Sequence, residues 1–322
     1  RILEERNFPV GRLFPLASER SVGRTVSFRG EKLPVESLYD FDFDQVQIGL
    51  FSAGAGVSKD IAPRAAKSGA VVIDNTSQYR YDDDVPLVVP ECNASRIADH
   101  TRRGIIANPN CSTIQLVVAC KSIQDAVGIE RINVSTYQSV SGAGRLSMEA
   151  LTEQSQAFLA KGYEADNTQV GQEKSVAFNA VPKIGPLLDS GYTQEEMKMV
   201  WETQKIFEDP DITVNPTCVR IPVYLGHSEA VHIETRTKLM ITEVHELLNS
   251  APGVTVLDGH GPGEYPTATT EAANRDDVFV GRIREDISHP RGINLWVVSD
   301  NLRKGAALNS VQIAEILVKD HL

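Results

Sequence analysis

The string Asn108-Pro109-Asn110-Cys111-Ser112-Thr113 concentrates reactive and turn-forming residues in six positions of a 322-residue sequence. Pro109 and the asparagines make a turn, and Ile114, Leu116, Val117, Val118 and Ala119 start a helix directly after it. Cys111 therefore falls at or just before a helix N-terminus, where unpaired backbone N–H groups stabilise a thiolate and an oxyanion formed beside it. A free cysteine is ordinarily a small buried hydrophobe. The turn-then-helix setting and the polar flanks favour a nucleophile here, whereas Cys92, Cys120 and Cys218 lie in apolar or strand-like surroundings. A nucleophilic thiolate needs an acid/base partner titrating near neutrality, and histidine suits that. Of seven histidines, His227 is the candidate, in the polar turn Gly226-His227-Ser228 between two strand-like runs. His100, His245 and His321 read as exposed, His232 alternates into a strand, and His260 and His289 fall in loops.

Two kinds of element must position these groups. In the first part, short apolar runs at 46–51, 70–74, 87–89 and 105–107 alternate with helical stretches, the pitch of βαβ units and a parallel sheet. Residues 1–6 read as the end of a helix. From about Ile129 the runs lengthen: 132–137, 217–223, 230–235, 278–283 and 293–298 read as strands of a mostly antiparallel sheet. Two helices interrupt them, one over 147–161 stopped by Gly162 and one opened by Thr193, whose Thr-x-x-Glu spacing with Glu196 is a capping box. On that helix Glu195 and Lys198 lie three apart and share a face, by themselves a surface ion pair worth under about 1 kcal/mol. Residues 305–319 form a last amphipathic helix, and 259–266 a loop. The fold class is α/β, a Rossmann-like parallel-sheet domain plus an α+β domain.

Composition narrows the classes. Lys and Arg total 32 against 43 Asp and Glu, a net charge of −11, with 41% hydrophobic and 23% charged residues. That is a globular chain, long enough for about two domains. The acidity and lack of basic clusters argue against nucleic acid, and no apolar run reaches the roughly 18 residues of a membrane span. Four scattered cysteines without a C-x-x-C pair give neither a disulfide framework nor a zinc site. The expectation is a cytoplasmic protein without a metal.

The Asn-Pro-Asn-Cys-Ser-Thr string resembles the active-site signature of the aspartate-semialdehyde dehydrogenases, the bacterial form above all. Residues 135–144 (STYQSVSGAG), Arg220-Ile221-Pro222-Val223 with Gly226-His227-Ser228-Glu229, and 299–307 (SDNLRKGAA) are similar to further family signatures, in the same order. The resemblance implies NADPH-dependent reductive dephosphorylation of L-aspartyl 4-phosphate to the semialdehyde and phosphate, on the route to lysine, threonine, methionine and diaminopimelate. It implies Cys111 as nucleophile, His227 as acid/base and Gln138 as the group orienting the acyl-enzyme. Arg220 would hold the substrate carboxylate as a bidentate fork, Arg80, Asn110 and Lys198 the phosphate, and Glu195 the amino group. Read without the resemblance, Gln138 and Arg220 are ordinary strand-end residues.

The same resemblance implies NADP at Ser18, Arg20 and Ser21, where an Arg with hydroxyls suits a 2′-phosphate, with Glu19 next to them. Ser52, Ala53 and Gly54 follow a strand as a cofactor-side loop, and Ser141, Gly142, Gly144 and Asn301 complete the cofactor set. The glycine-rich loop that should follow a first strand is absent, so the expectation is that it precedes Arg1. Residues 1–110 and 303–322 would form the cofactor domain and 111–302 a catalytic domain carrying a homodimer surface. Four other readings compete: N-acetyl-γ-glutamyl-phosphate reductase, which usually carries a Gly-Cys-Tyr-Pro-type string; glyceraldehyde-3-phosphate dehydrogenase, further away because it pairs its Cys with a His where this chain has Gln138; a cysteine hydrolase using Cys111 and His227; and a non-catalytic relic.

Overall fold

The valine- and isoleucine-rich run at 71–73 is buried on both faces, as a central parallel strand requires. The computed structural model describes residues 1–162 and 174–322 and divides into two units, Arg1–Pro109 with Ala307–Leu322, and Asn110–Ala306. The first holds α1 (Ile2–Glu5), β1 (Leu16–Ala17), β2 (Thr25–Phe28), β3 (Glu31–Pro34), β4 (Glu36–Ser37), β5 (Ile48–Phe51), α2 (Ala55–Lys67), β6 (Val71–Asp74), α3 (Pro90–Asn93) and β7 (Ile105–Ala107). The second holds α4 (Cys111–Val127), β8 (Ile129–Gln138), α5 (Arg145–Lys161), α6 (Gln194–Phe207), β9 (Thr213–Arg220), β10 (His227–Thr235), α7 (Ile241–Ser250), β11 (Val254–Val256), β12 (Val278–Glu285) and β13 (Gly292–Ser299). The last helix, α8 (Leu308–Asp320), belongs to the first unit.

In the first unit β5, β6 and β7 form a parallel sheet in that order. Val311, Ile313, Ala314 and Leu317 of α8 pack with Val71, Ile73, Ile97 and Ile106 in its core. The run at 87–89 does not become a strand. Only Leu87 bridges to Ala107, and the Asn93 side chain takes Val89 N–H and Leu87 C=O while Pro90 opens α3. His100, expected at the surface, is buried, its Nδ1 2.9 Å from the Ile97 carbonyl.

The second unit is built on a six-stranded sheet ordered β11-β12-β13-β10-β8-β9. The three inner pairings are antiparallel and the two outer ones parallel, so the sheet is mixed. Helix α4 packs on it and is buried almost all round, from Ser112 to Cys120, as its apolar sequence dictates. Strand β9 lies at the edge, which is where Pro216 is tolerated. It stops at Arg220, and 221–223 turn instead of extending it. Helix α5 ends at Gly162 with φ +64°, and α6 opens on the expected capping box.

Candidate active site

Sheet register assembles the site before any loop contributes. Arg220 on β9 pairs with Gln138 on β8, and His227 on β10 pairs with Ser299 on β13. Because Tyr137 faces Ser228, Gln138 and His227 meet in one rung, so Arg220, Gln138, His227 and Ser299 form a row across four strands. One rung below, Cys218, Thr136, Glu229 and Val297 form a second row on the same face. All eight side chains except that of Arg220 are buried.

His227 is 0% exposed. Its Nδ1 accepts from the Ser139 backbone N–H at 3.0 Å and lies 3.1 Å from Ser139 Oγ. A backbone donor on Nδ1 leaves the ring proton on Nε2, and Nε2 has no hydrogen-bond partner among the described residues. Burial, with help from the Arg220 cation, pushes His227 down to about 3, so the ring is neutral at physiological pH. Arg220 Nη1 donates to the Ser139 carbonyl at 2.5 Å. Burial pulls the guanidinium below its ordinary value, and Cys111 and Glu195, when ionised, act to pull it back up. A Cβ on Gly142 would sit 3.3 Å from both Arg220 Nη1 and His227 Nε2, so that glycine packs against the two side chains.

Cys111 is the first residue of α4 and is partly exposed, and none of the four cysteines forms a disulfide. Asn110 is the N-cap, its Oδ1 accepting from Ser112 N at 3.0 Å and Thr113 N at 3.4 Å. The helix N-terminus therefore offers fewer open N–H groups than its sequence implies. Asn110 Nδ2 donates to Glu195 Oε1 at 3.0 Å, so the amide placed on phosphate by resemblance is engaged with α6. Glu195 also accepts from Lys198 Nζ at 3.0 Å and from Gln138 Nε2 at 3.4 Å. Burial raises its carboxyl, but the Lys198 ammonium and the Asn110 amide outweigh that and hold it below the usual range. Burial pushes Cys218 far up, which makes it a poor nucleophile.

The residues expected to bind cofactor divide between the units. In the first, Ser52, Ala53 and Gly54 follow the C-terminal end of β5, with Gly54 at φ +97° and open space around it. Ser18 and Arg20 are exposed and Ser21 half-buried, while the Glu19 carboxylate accepts from Ser37 Oγ at 2.6 Å. Arg80 is buried, its guanidinium donating to the Thr76 and Asn75 carbonyls at 3.0 Å each. In the second unit Gly144 turns at φ +93° before α5. Asn301 is 2% exposed, and its Oδ1 accepts from Gly226 N at 3.0 Å and from the Ser139 and Ser141 hydroxyls at 3.1 Å. That amide oxygen organises the turn carrying His227, a role the sequence did not disclose.

Four further residues escaped sequence reasoning. Ser139 joins His227 to Arg220. A Cβ on Gly305 would lie 2.8 Å from that of Cys111, so Gly305 is required for α4 to begin where it does. Glu229, in the second row, has its carboxyl pushed well above the usual carboxylate range by burial, with the Gln115 amide acting the other way. Glu202 is fully buried and accepts from Asn110 N at 2.6 Å. Ser139 and Gly305 stood inside recognisable strings, but nothing in the sequence marked either glutamate as buried. Among the described residues no group of three or more His, Cys, Asp or Glu could hold a metal ion, and no helix is long and apolar enough to cross a membrane.

The chain is similar to known proteins over its whole length. Residues 1–100 match the semialdehyde dehydrogenase NAD-binding domain and 120–304 the semialdehyde dehydrogenase dimerisation domain. An aspartate-semialdehyde dehydrogenase of Shewanella violacea is 59% identical over 99% of this chain and 93% of its own length. One of Legionella pneumophila is also 59% identical, over 100% and 92%. The crystal structure of aspartate semialdehyde dehydrogenase II from Vibrio cholerae, complexed with ASA, superposes with a TM-score of 0.95 at 56% identity, over 100% of this chain and 94% of that one. The two domain matches follow one another in the order the sheets require, a parallel sheet and then a mixed one, and the chain is an enzyme of the aspartate-semialdehyde dehydrogenase family.

Proposed function

We propose that the chain reduces L-aspartyl 4-phosphate to aspartate 4-semialdehyde through a thioester on Cys111, with NADPH as reductant. The observation that carries this reading is the neutral, buried His227, locked at Nδ1 and presenting Nε2–H beside Arg220, whose charge is coupled to Cys111. The Cys111 thiolate attacks the acyl carbon, forms the C–S bond and expels phosphate. Arg220 attracts negative charge on the sulfur and takes the substrate carboxylate. Gln138 fixes the acyl group through its amide. When the acyl carbon has been reduced, Nε2–H of His227 hydrogen-bonds the oxyanion, and the C–S bond breaks to release the aldehyde. Glu195, kept ionised, suits a free ammonium group, which supports an aspartyl rather than an N-acylated substrate.

A nicotinamide cofactor fits what surrounds the strand ends. Gly54 turns with open space at the C-terminal end of β5, where parallel sheets bind ligands. Arg20 is exposed while Ser37 occupies the neighbouring Glu19 carboxylate, which supports a 2′-phosphate and hence NADP with Ser18 and Ser21. The cofactor supplies the hydride. Ser52, Ala53, Gly54, Ser141, Gly142, Gly144 and Asn301 complete its proposed contacts, and Arg80, Asn110 and Lys198 those of the phosphate. The cofactor domain comprises 1–110 and 303–322 and the catalytic domain 111–302, acting as a cytoplasmic homodimer in amino-acid biosynthesis.

The test is turnover of semialdehyde, phosphate and NADP by the wild type and by Cys111→Ala. Loss of at least about 10⁴-fold in kcat, with circular dichroism and nucleotide affinity retained, is expected for a covalent nucleophile. Retained turnover removes the thioester from the pathway.

A further inference from the structure

We propose that Glu202 is a positioning residue that sets the location of Cys111 by gripping the backbone of Asn110. The proposal rests on the reading of Cys111 as nucleophile and adds the device that aims it.

Glu202 is 0% exposed although its helix neighbour Trp201 is 40% exposed. A carboxylate taken out of water on a partly solvated helix requires donors to hold it. One donor is the Asn110 N–H, 2.6 Å from Oε2, a charge-assisted hydrogen bond to the residue directly before the nucleophile. Glu195 lies seven positions earlier on α6, two turns away and on the same face, and accepts from Nδ2 of the same asparagine at 3.0 Å. The remaining polar groups of Asn110 face α4, with Oδ1 on Ser112 N and Thr113 N and the carbonyl on Ile114 N at 2.9 Å. Each polar atom of Asn110 thus has a partner, two on α6 and two on α4, and one Nδ2 hydrogen is left over for the proposed phosphate contact. Of the two carboxylates only Glu195 has a proposed role toward substrate. Glu202 contributes reach: it fixes the height of the N-cap, and with it the Cα of Cys111. Misplacing a reacting group by about 1 Å costs on the order of 10²-fold in rate.

Reach and charge are separated by two substitutions. Glu202→Asp keeps the charge and withdraws the acceptor by one methylene, whereas Glu202→Gln keeps the reach and removes the charge. Both are assayed with saturating phosphate and NADP, with thermal midpoint as the check on folding. The expected result is a kcat reduced about 10- to 100-fold in Glu202→Asp with KM for semialdehyde within threefold, and at least a fivefold higher kcat in Glu202→Gln. Equal kcat in Glu202→Asp and wild type, or a Glu202→Gln slower than Glu202→Asp, overturns the proposal. Cys111→Ala runs alongside: if it is inactive and Glu202→Asp is not, only the positioning role fails, whereas an active Cys111→Ala removes the nucleophile as well.

Discussion

Arginine at position 220 does work that lysine could not repeat. Its guanidinium gives one N–H to the Ser139 carbonyl, and in the proposed role its other donors meet the substrate carboxylate. Arg220→Lys, a point charge on a flexible stem, is expected to raise KM for semialdehyde about 10- to 100-fold with a smaller effect on kcat; initial-rate kinetics decide, and an unchanged KM removes the carboxylate assignment. At this scale the sequence was most readable where local pattern fixed a residue's place in the fold. Cys111 was placed by a turn and a helix start, and His227 by a polar turn between strands. What it withheld was partnership. That His227 is locked by a serine backbone, that Asn301 points inward, and that two glutamates lie in the interior are products of tertiary packing, which local spacing does not encode.

Helix α6 was legible from its capping box, and its purpose was not. Thr193 Oγ1 accepts from Glu196 N at 3.2 Å and Glu196 Oε2 from Thr193 N at 2.7 Å, while Glu196 Oε1 accepts from Cys218 N at 3.0 Å. One cap thus starts the helix and covers an outward N–H of edge strand β9. Thr193→Ala is expected to cost about 1 kcal/mol of stability, measured by urea denaturation, and to lower kcat through Glu195 without abolishing it. The strands that failed to follow the sequence have local causes. Asn93 takes the Val89 N–H and the Leu87 carbonyl, so 87–89 stay extended with a single bridge to Ala107, and Pro222 lies just beyond the last ladder residue of β9. Sequence periodicity sees apolar runs but not the side chain that competes for their backbone.

Two buried groups give the whole molecule opposite responses to pH. His227 falls from 6.5 unfolded to about 3 folded, so its contribution is full above 6.5 and is lost as acid carries the pH toward 3. Glu229 is raised well above 4.5, so its contribution is full below 4.5 and is lost as the pH climbs toward its folded value. Unfolding free energies across pH should therefore lose the acid-side fall in His227→Gln and the rise-side fall in Glu229→Gln; unchanged profiles count against the neutral interior. The second unit also leaves the apolar side chains of Leu159, Phe178, Leu187 and Trp201 between 40% and 77% exposed, all within the residues that match a dimerisation domain. Sedimentation equilibrium is expected to return twice the chain mass at micromolar concentration, and a monomer there removes the homodimer. The rung that carries Arg220, Gln138, His227 and Ser299 has a consequence for how this enzyme can change over time. Side chains alternate between faces, so inserting or deleting a single amino acid inside any of those four strands turns its member away from the others. Substitutions can be explored one by one, but length changes there dismantle the proposed site at a stroke, and new variation must enter through the loops.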